Sequence, residues 1–183
     1  MLHLSDIHIK KLSDSIFEKK DAIKDAIKNK ILSAKYLFIV LTGDIANSGK
    51  ESEYEAALNL LSNLKDTLIS YNNSLKIEFI IAPGNHDCNF DKTPTLRKLS
   101  IKSLNNGTLD IKEIDNETIE SCTSIQQDFF DFREILENKK SINKQLSSNI
   151  FKRYDFLLGQ HSISFNVYNL SWMSQRNEEQ SKI

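Results

Sequence analysis

The N-terminal half of the chain alternates between short apolar runs and apolar stripes at helical spacing. Residues 1–5 (Met-Leu-His-Leu-Ser) read as a short strand. Ser13, Asp14 and Ser15 then offer N-cap side chains for a helix over about Phe17 to Leu32. Ile16, Ile23, Ile27 and Ile31, with Ala22 and Ala26, share one stripe of that helix while its lysines face outward. The continuous run Tyr36–Leu41, rich in β-branched residues and stopped by Thr42-Gly43-Asp44, predicts a strand buried on both faces. A second helix is predicted over about Glu51 to Tyr71, with Tyr54, Ala57, Leu58, Leu61, Leu64 and Leu68 at core spacing. Lys76–Ala82 follows as a third strand, ended by Pro83-Gly84. Strand, helix, strand, helix, strand implies a parallel sheet covered by helices.

Beyond Asn89 the pattern loosens. Residues 95–105 predict a helix and residues 113–137 another, the latter carrying eight acidic residues against one Arg, as a solvated helix face would. Tyr154–Leu158, a Gly159-Gln160 turn and Ser162–Tyr168 predict a β-hairpin; Ile163, Phe165 and Val167 alternate with Ser162, Ser164 and Asn166. Asn177–Ile183 is polar and adds no closing element. Phe129, Phe130, Phe132 and Trp172 are expected in the core, Cys88 as a packed small hydrophobe, and His3 as a buried, hydrogen-bonded residue.

The 183 residues fit one domain or part of one. Twenty-four Lys and Arg against 25 Asp and Glu leave a net charge of −1, so no global basic field favours nucleic acid or an anionic membrane. The apolar runs fall far short of the ~20 residues a membrane helix needs, and Asp6 and Lys10 interrupt any signal-like stretch. Two cysteines, Cys88 and Cys122, make a poor disulfide framework, so a cytoplasmic location is expected.

The chemistry collects where the three strands end: Asp6-Ile7-His8, Gly43-Asp44 and Gly84-Asn85-His86-Asp87. In an open α/β sheet the carboxyl ends of neighbouring strands share one edge, where ligands bind. Topology therefore gathers Asp, His and Asn side chains that lie some forty residues apart around one crevice. Carboxylate and imidazole donors suit Mn, Fe or Zn, and the chain has no thiolate cluster for a Cys-type structural zinc site. If the first strand continues through them, Asp6 and His8 point to one side and can share an ion. Asp44, following a glycine, is placed to bridge two ions, and Asn85 offers a neutral carbonyl oxygen to the second. Two ions about 3.5–4 Å apart can hold a hydroxide and clamp a phosphoryl group for in-line displacement.

These three ordered motifs resemble the first three motifs of the calcineurin-like metallophosphoesterases, over roughly residues 1–90. The resemblance implies an α/β/β/α fold, a two-sheet sandwich flanked by helices. It also implies that Asp6 and His8 bind the first metal, that Asp44 bridges and that Asn85 binds the second. His86 would act beside the leaving group, with Asp87 orienting its imidazole. The implied activity is hydrolysis of phosphate mono- or diesters by a hydroxide held between two divalent metal ions.

The chain departs from that pattern in its later part. The family completes its metal shells with a His after a later strand and a Gly-His-x-His pair. This chain has four histidines, His3, His8, His86 and His161, and no such pair. His161 reads as a polar turn residue. The expectation is that residues 1–183 form the N-terminal portion of a single domain that lacks its C-terminal part, so full activity is not expected of this chain alone. The alternatives are a catalytically incomplete binding scaffold of the same fold, or a nuclease that needs a further domain or partner. An incomplete sandwich would leave an apolar face open to association.

Overall fold

A computed structural model of the protein describes residues 1–137 and 148–176, so the predicted polar stretch 177–183 lies outside the described residues. Three strands, β1 (Leu2–Leu4), β2 (Tyr36–Thr42) and β3 (Lys76–Ala82), form a parallel sheet in the order β1-β2-β3. The first crossover carries α1 (Ser15–Ile31) and the second α2 (Glu51–Tyr71), as the alternating pattern predicts. Asp14 precedes α1, but its carboxylate accepts from the backbone N–H of Lys10 and Lys11 rather than capping the helix.

Both faces of β2 and β3 are covered, which is why their sequences read as unbroken apolar runs. On one face Leu37, Ile39, Leu41, Phe79 and Ile81 pack in the main core with Ala57, Leu61, Leu64 and Leu68 of α2. The last helix, α5 (Gln127–Glu137), adds Phe129, Phe132 and Leu136 to the same core. On the other face Phe38 and Ile80 pack against Tyr154 and Phe156 of the hairpin β4 (Phe151–Leu158) and β5 (His161–Tyr168). The antiparallel pair runs in register from Phe151↔Tyr168 to Leu158↔His161. Helices, parallel sheet and hairpin therefore stack as three layers, a mixed α/β fold in which the two sheets pack face to face as the resemblance implies. On the hairpin, Leu157, Ile163 and Tyr168 remain exposed.

Several local expectations need correction. The single helix over 113–137 is two helices, α4 (Asn116–Thr123) and α5, separated by a 3-10 turn over Ser124–Gln126. The Ile125 carbonyl there accepts from Asn89 N–H at 2.7 Å, and Thr123 Oγ1 bonds the Ile119 carbonyl and accepts from Asn149. The bonds from Asn89 and Asn149 are tertiary and outweigh helix continuity. His3 is exposed, not buried, and its Nε2 lies 2.6 Å from Thr42 Oγ1. Trp172 is only half-buried, whereas Phe129, Phe132 and Cys88 are core residues as expected. His161 opens β5 after the two-residue turn Gly159-Gln160, in which Gly159 takes a φ of +67°, and is exposed.

Beyond the sheet, α3 (Thr95–Asn105) packs against α4, and the guanidinium of Arg97 is buried between the helices and the C-terminal segment. It donates to the carbonyls of Cys122, Trp172 and Ser174 at 2.8, 3.2 and 2.7 Å. One buried cation thus satisfies three carbonyl acceptors and ties the segment after β5 to the body of the fold.

Candidate metal centre

The strand tips continue past the sheet as stitched loops. Beyond β1, Asp6 N–H donates to the Gly43 carbonyl, His8 N–H to the Asp44 carbonyl and Ile9 N–H to the Ile45 carbonyl, at 3.3, 2.9 and 2.9 Å. Gly43 N–H in turn donates to the Ala82 carbonyl at 3.0 Å, joining the second tip to the third. Parallel pairing thus brings together segments that are remote in sequence.

Asp6, His8 and Asp44 have φ values of 53°, 52° and 53°, and they are the non-glycine residues of left-handed backbone among those described. Each such conformation costs of order 1 kcal/mol or more for a residue with a Cβ, and such strain clusters at functional sites. β1 therefore stops at Leu4, and the expectation of a strand continuing through Asp6 and His8 does not hold.

What the tips bring together is a compact group: one ligand atom each from His8, Asp44 and His86 lie within 4.8 Å of one another. The His8 and His86 rings meet edge to face with centroids 4.5 Å apart. His86 N–H donates to Asp44 Oδ1 at 2.9 Å, which fixes the carboxylate between the second and third tips. Asp6 stands outside this group, its carboxylate accepting from the Ser5 hydroxyl. Asn85 is exposed beside His86, and the two residues line one cavity. Two imidazoles and a carboxylate converging with an open side fit a borderline divalent cation such as Mn, Fe or Zn.

The role expected for Asp87 is corrected by its position. Its carboxylate is fully buried and accepts from Gly84 N–H (2.8 Å), Ala46 N–H (3.0 Å), Ile45 N–H (3.3 Å) and the Tyr54 hydroxyl (2.9 Å). Those bonds take its oxygens away from the His86 ring. Burial pushes the carboxyl up from 3.8 to about 6 against the opposing pull of these donors. Burial, and next the facing Asp87 carboxylate, pushes the Tyr54 hydroxyl well above its ordinary range, so it remains a donor.

The group that orients His86 is the Asn47 carbonyl, 2.8 Å from Nδ1. A carbonyl can only accept, so Nδ1 carries the proton and Nε2 of the neutral ring presents a lone pair. Glu53, at the start of α2, holds the same loop by accepting from the N–H groups of Ser48 and Lys50 and from the Ser48 hydroxyl. Sequence reasoning missed Asn47, Tyr54 and Glu53. Asn47 acts through its backbone, which no side-chain pattern reveals, and Tyr54 and Glu53 sit among ordinary helix positions. Tyr54→Phe is expected to lower unfolding free energy by about 1 kcal/mol by removing one of the Asp87 donors. Urea denaturation checks this, and an unchanged midpoint contradicts it.

With the fold and the cluster in view, comparison with known proteins gives the class: residues 1–181 match the calcineurin-like phosphoesterase family, and the chain belongs to it. It is 29% identical over 133 residues to an uncharacterized metallophosphoesterase-like protein, YydB, of Bacillus subtilis (strain 168), a match covering 73% of this chain and 27% of that protein. It is also 39% identical over 100 residues to the uncharacterized protein R555 of Acanthamoeba polyphaga mimivirus, covering 54% of this chain and 7% of that protein. The matched segments are thus a small part of both relatives. The family to which it belongs is one of phosphoesterases. No helix among the described residues is long and apolar enough to cross a membrane.

Proposed function

We propose that this chain is the metal-binding portion of a dinuclear phosphoesterase acting on phosphate mono- or diesters, and that His8, Asp44 and His86 form the nucleus of its metal site. The observation that carries this reading is the 4.8 Å grouping of those three side chains at the joined strand tips. Asp6 and Asn85 complete the proposed ligand set. Asp6 shares the strained tip with His8, and Asn85 precedes His86 at the cavity mouth. When bound, divalent cations supply Lewis acidity at phosphorus and lower the pKa of an attacking water.

The protein's own contribution is positional. Asp44 is held by His86 N–H, and the Asn47 carbonyl holds the His86 ring so that Nε2 is free to bind an ion or, when protonated, to donate to a departing oxygen. No covalent Ser or Cys is required. We further propose that residues 1–183 are the N-terminal portion of a single calcineurin-like domain, supported by the greater length of both relatives. Two buried free cysteines support a cytoplasmic setting.

The test is uptake of Mn²⁺ or Zn²⁺ followed by calorimetry, with aryl phosphate mono- and diester hydrolysis as a second readout. His8→Ala and Asp44→Asn are each expected to weaken metal uptake roughly tenfold or more. Wild-type uptake in both variants overturns the site.

A further inference from the structure

A cavity of about 240 Å³ opens beside the metal group, lined among others by Asn85, His86, Phe90, Asp91 and Arg176. The guanidinium of Arg176 donates to Asp91 Oδ1, and Lys50 Nζ lies 3.9 Å from Asp91 Oδ2. Two cations therefore share one carboxylate at the wall of a pocket that also contains His86. All three side chains are more than half exposed, at 62% for Arg176, 59% for Asp91 and 52% for Lys50. Ion pairs so exposed contribute little stability, so exchanging Asp91 for another anion costs little. The planar guanidinium fork suits a carboxylate or phosphate, and Lys50 adds a second positive charge.

We infer that Arg176 and Lys50 form a subsite for a second anionic group on the phosphoester substrate, with Asp91 as the carboxylate that this group displaces. The inference rests on the proposed phosphoesterase reading and names its substrate class: a small organic phosphoester bearing a further carboxylate or phosphate. The cavity lies just below the usual ~300–1,000 Å³ of drug-sized ligand pockets, which favours a compact substituent. Phe90 supplies an apolar wall against which its carbon skeleton can lie.

The test is a set of calorimetric titrations of the full chain, with and without Mn²⁺. The probes are glycerol 3-phosphate, 3-phosphoglycerate, which has a carboxylate in place of a hydroxymethyl, and glycerol 1,3-bisphosphate. Either probe with a second anionic group is expected to bind about tenfold more tightly than glycerol 3-phosphate. The better of the two identifies the second group. In Arg176→Gln that ratio falls towards one, and in Asp91→Asn it rises, because the cations are freed. A ratio of one in the wild type, no binding of either probe, or a ratio that Arg176→Gln leaves intact overturns the subsite, whether or not Mn²⁺ binds. Absence of Mn²⁺ uptake in the same titrations overturns the metal reading alone.

Discussion

Asp87→Ala is expected to lower the unfolding free energy by about 3 kcal/mol, the largest loss from any single polar side chain in the site region. The substitution leaves three backbone N–H groups, from Gly84, Ile45 and Ala46, and the Tyr54 hydroxyl without their acceptor in a closed interior. Each orphaned donor costs about 1–3 kcal/mol. Against this, burial disfavours the ionised carboxylate, so removing the charge returns part of the loss. Asp87→Asn keeps one acceptor oxygen and is expected to fall between Asp87→Ala and Tyr54→Phe. Urea denaturation orders the three variants, and an Asp87→Ala protein no less stable than Tyr54→Phe contradicts the assignment of Asp87 as the central acceptor.

The same group sets a pH dependence. With its carboxyl raised from 3.8 to about 6, the folded chain retains a proton over a window in which the unfolded chain has released it. The stability this group contributes is thus fully present below about pH 4, falls as pH rises to about 6, and is constant above that. Stability curves of the metal-free chain across this window should show the slope in the wild type and lack it in Asp87→Ala.

Gly84→Ala is the second large effect, and it reports on the metal site itself. A Cβ at position 84 would sit 2.1 Å from Asp44 Oδ1 and 2.5 Å from Asp44 N. The side-chain oxygen is already fixed by His86 N–H, and the backbone of Asp44 by its carbonyl bond to His8 N–H. Neither atom can retreat without opening a joint between strand tips. The variant is expected to lose about 3 kcal/mol of stability and roughly 100-fold in divalent-cation affinity. Calorimetric Mn²⁺ titration checks the second figure, with circular dichroism confirming that the variant is folded. Wild-type affinity in a folded Gly84→Ala protein would mean that Asp44 is not held where the ligand group requires it.

Much of the architecture was legible in the pattern. Tyr36–Leu41 and Phe79–Ala82 are apolar at consecutive positions because both sheet faces are covered, one by helices and one by the hairpin. The stripe of α2 was equally clear. The break at Ser124–Gln126 was hidden, because it depends on Asn89 N–H and Asn149, contacts that no local periodicity encodes. At the site, the three motifs announced which residues would meet but not their conformations. His86, read as the group beside the leaving oxygen, also has a ligand atom within 4.8 Å of those of His8 and Asp44. Asp87 was read as the partner of the His86 ring, yet it is the buried acceptor that locks the loops.

By itself, the sequence determined the alternation of strands and helices, and with it the edge on which Asp6, His8, Asp44, Asn85 and His86 would gather, because parallel crossovers return every strand to the same direction. Only the tertiary structure decided how the tips are shaped. Backbone bonds between loops hold Asp6, His8 and Asp44 in left-handed conformations that their own preferences resist, and the Asn47 carbonyl and Tyr54 hydroxyl reach their partners only across the fold. Local sequence encodes what a residue favours, whereas the packed chain sets what it must accept.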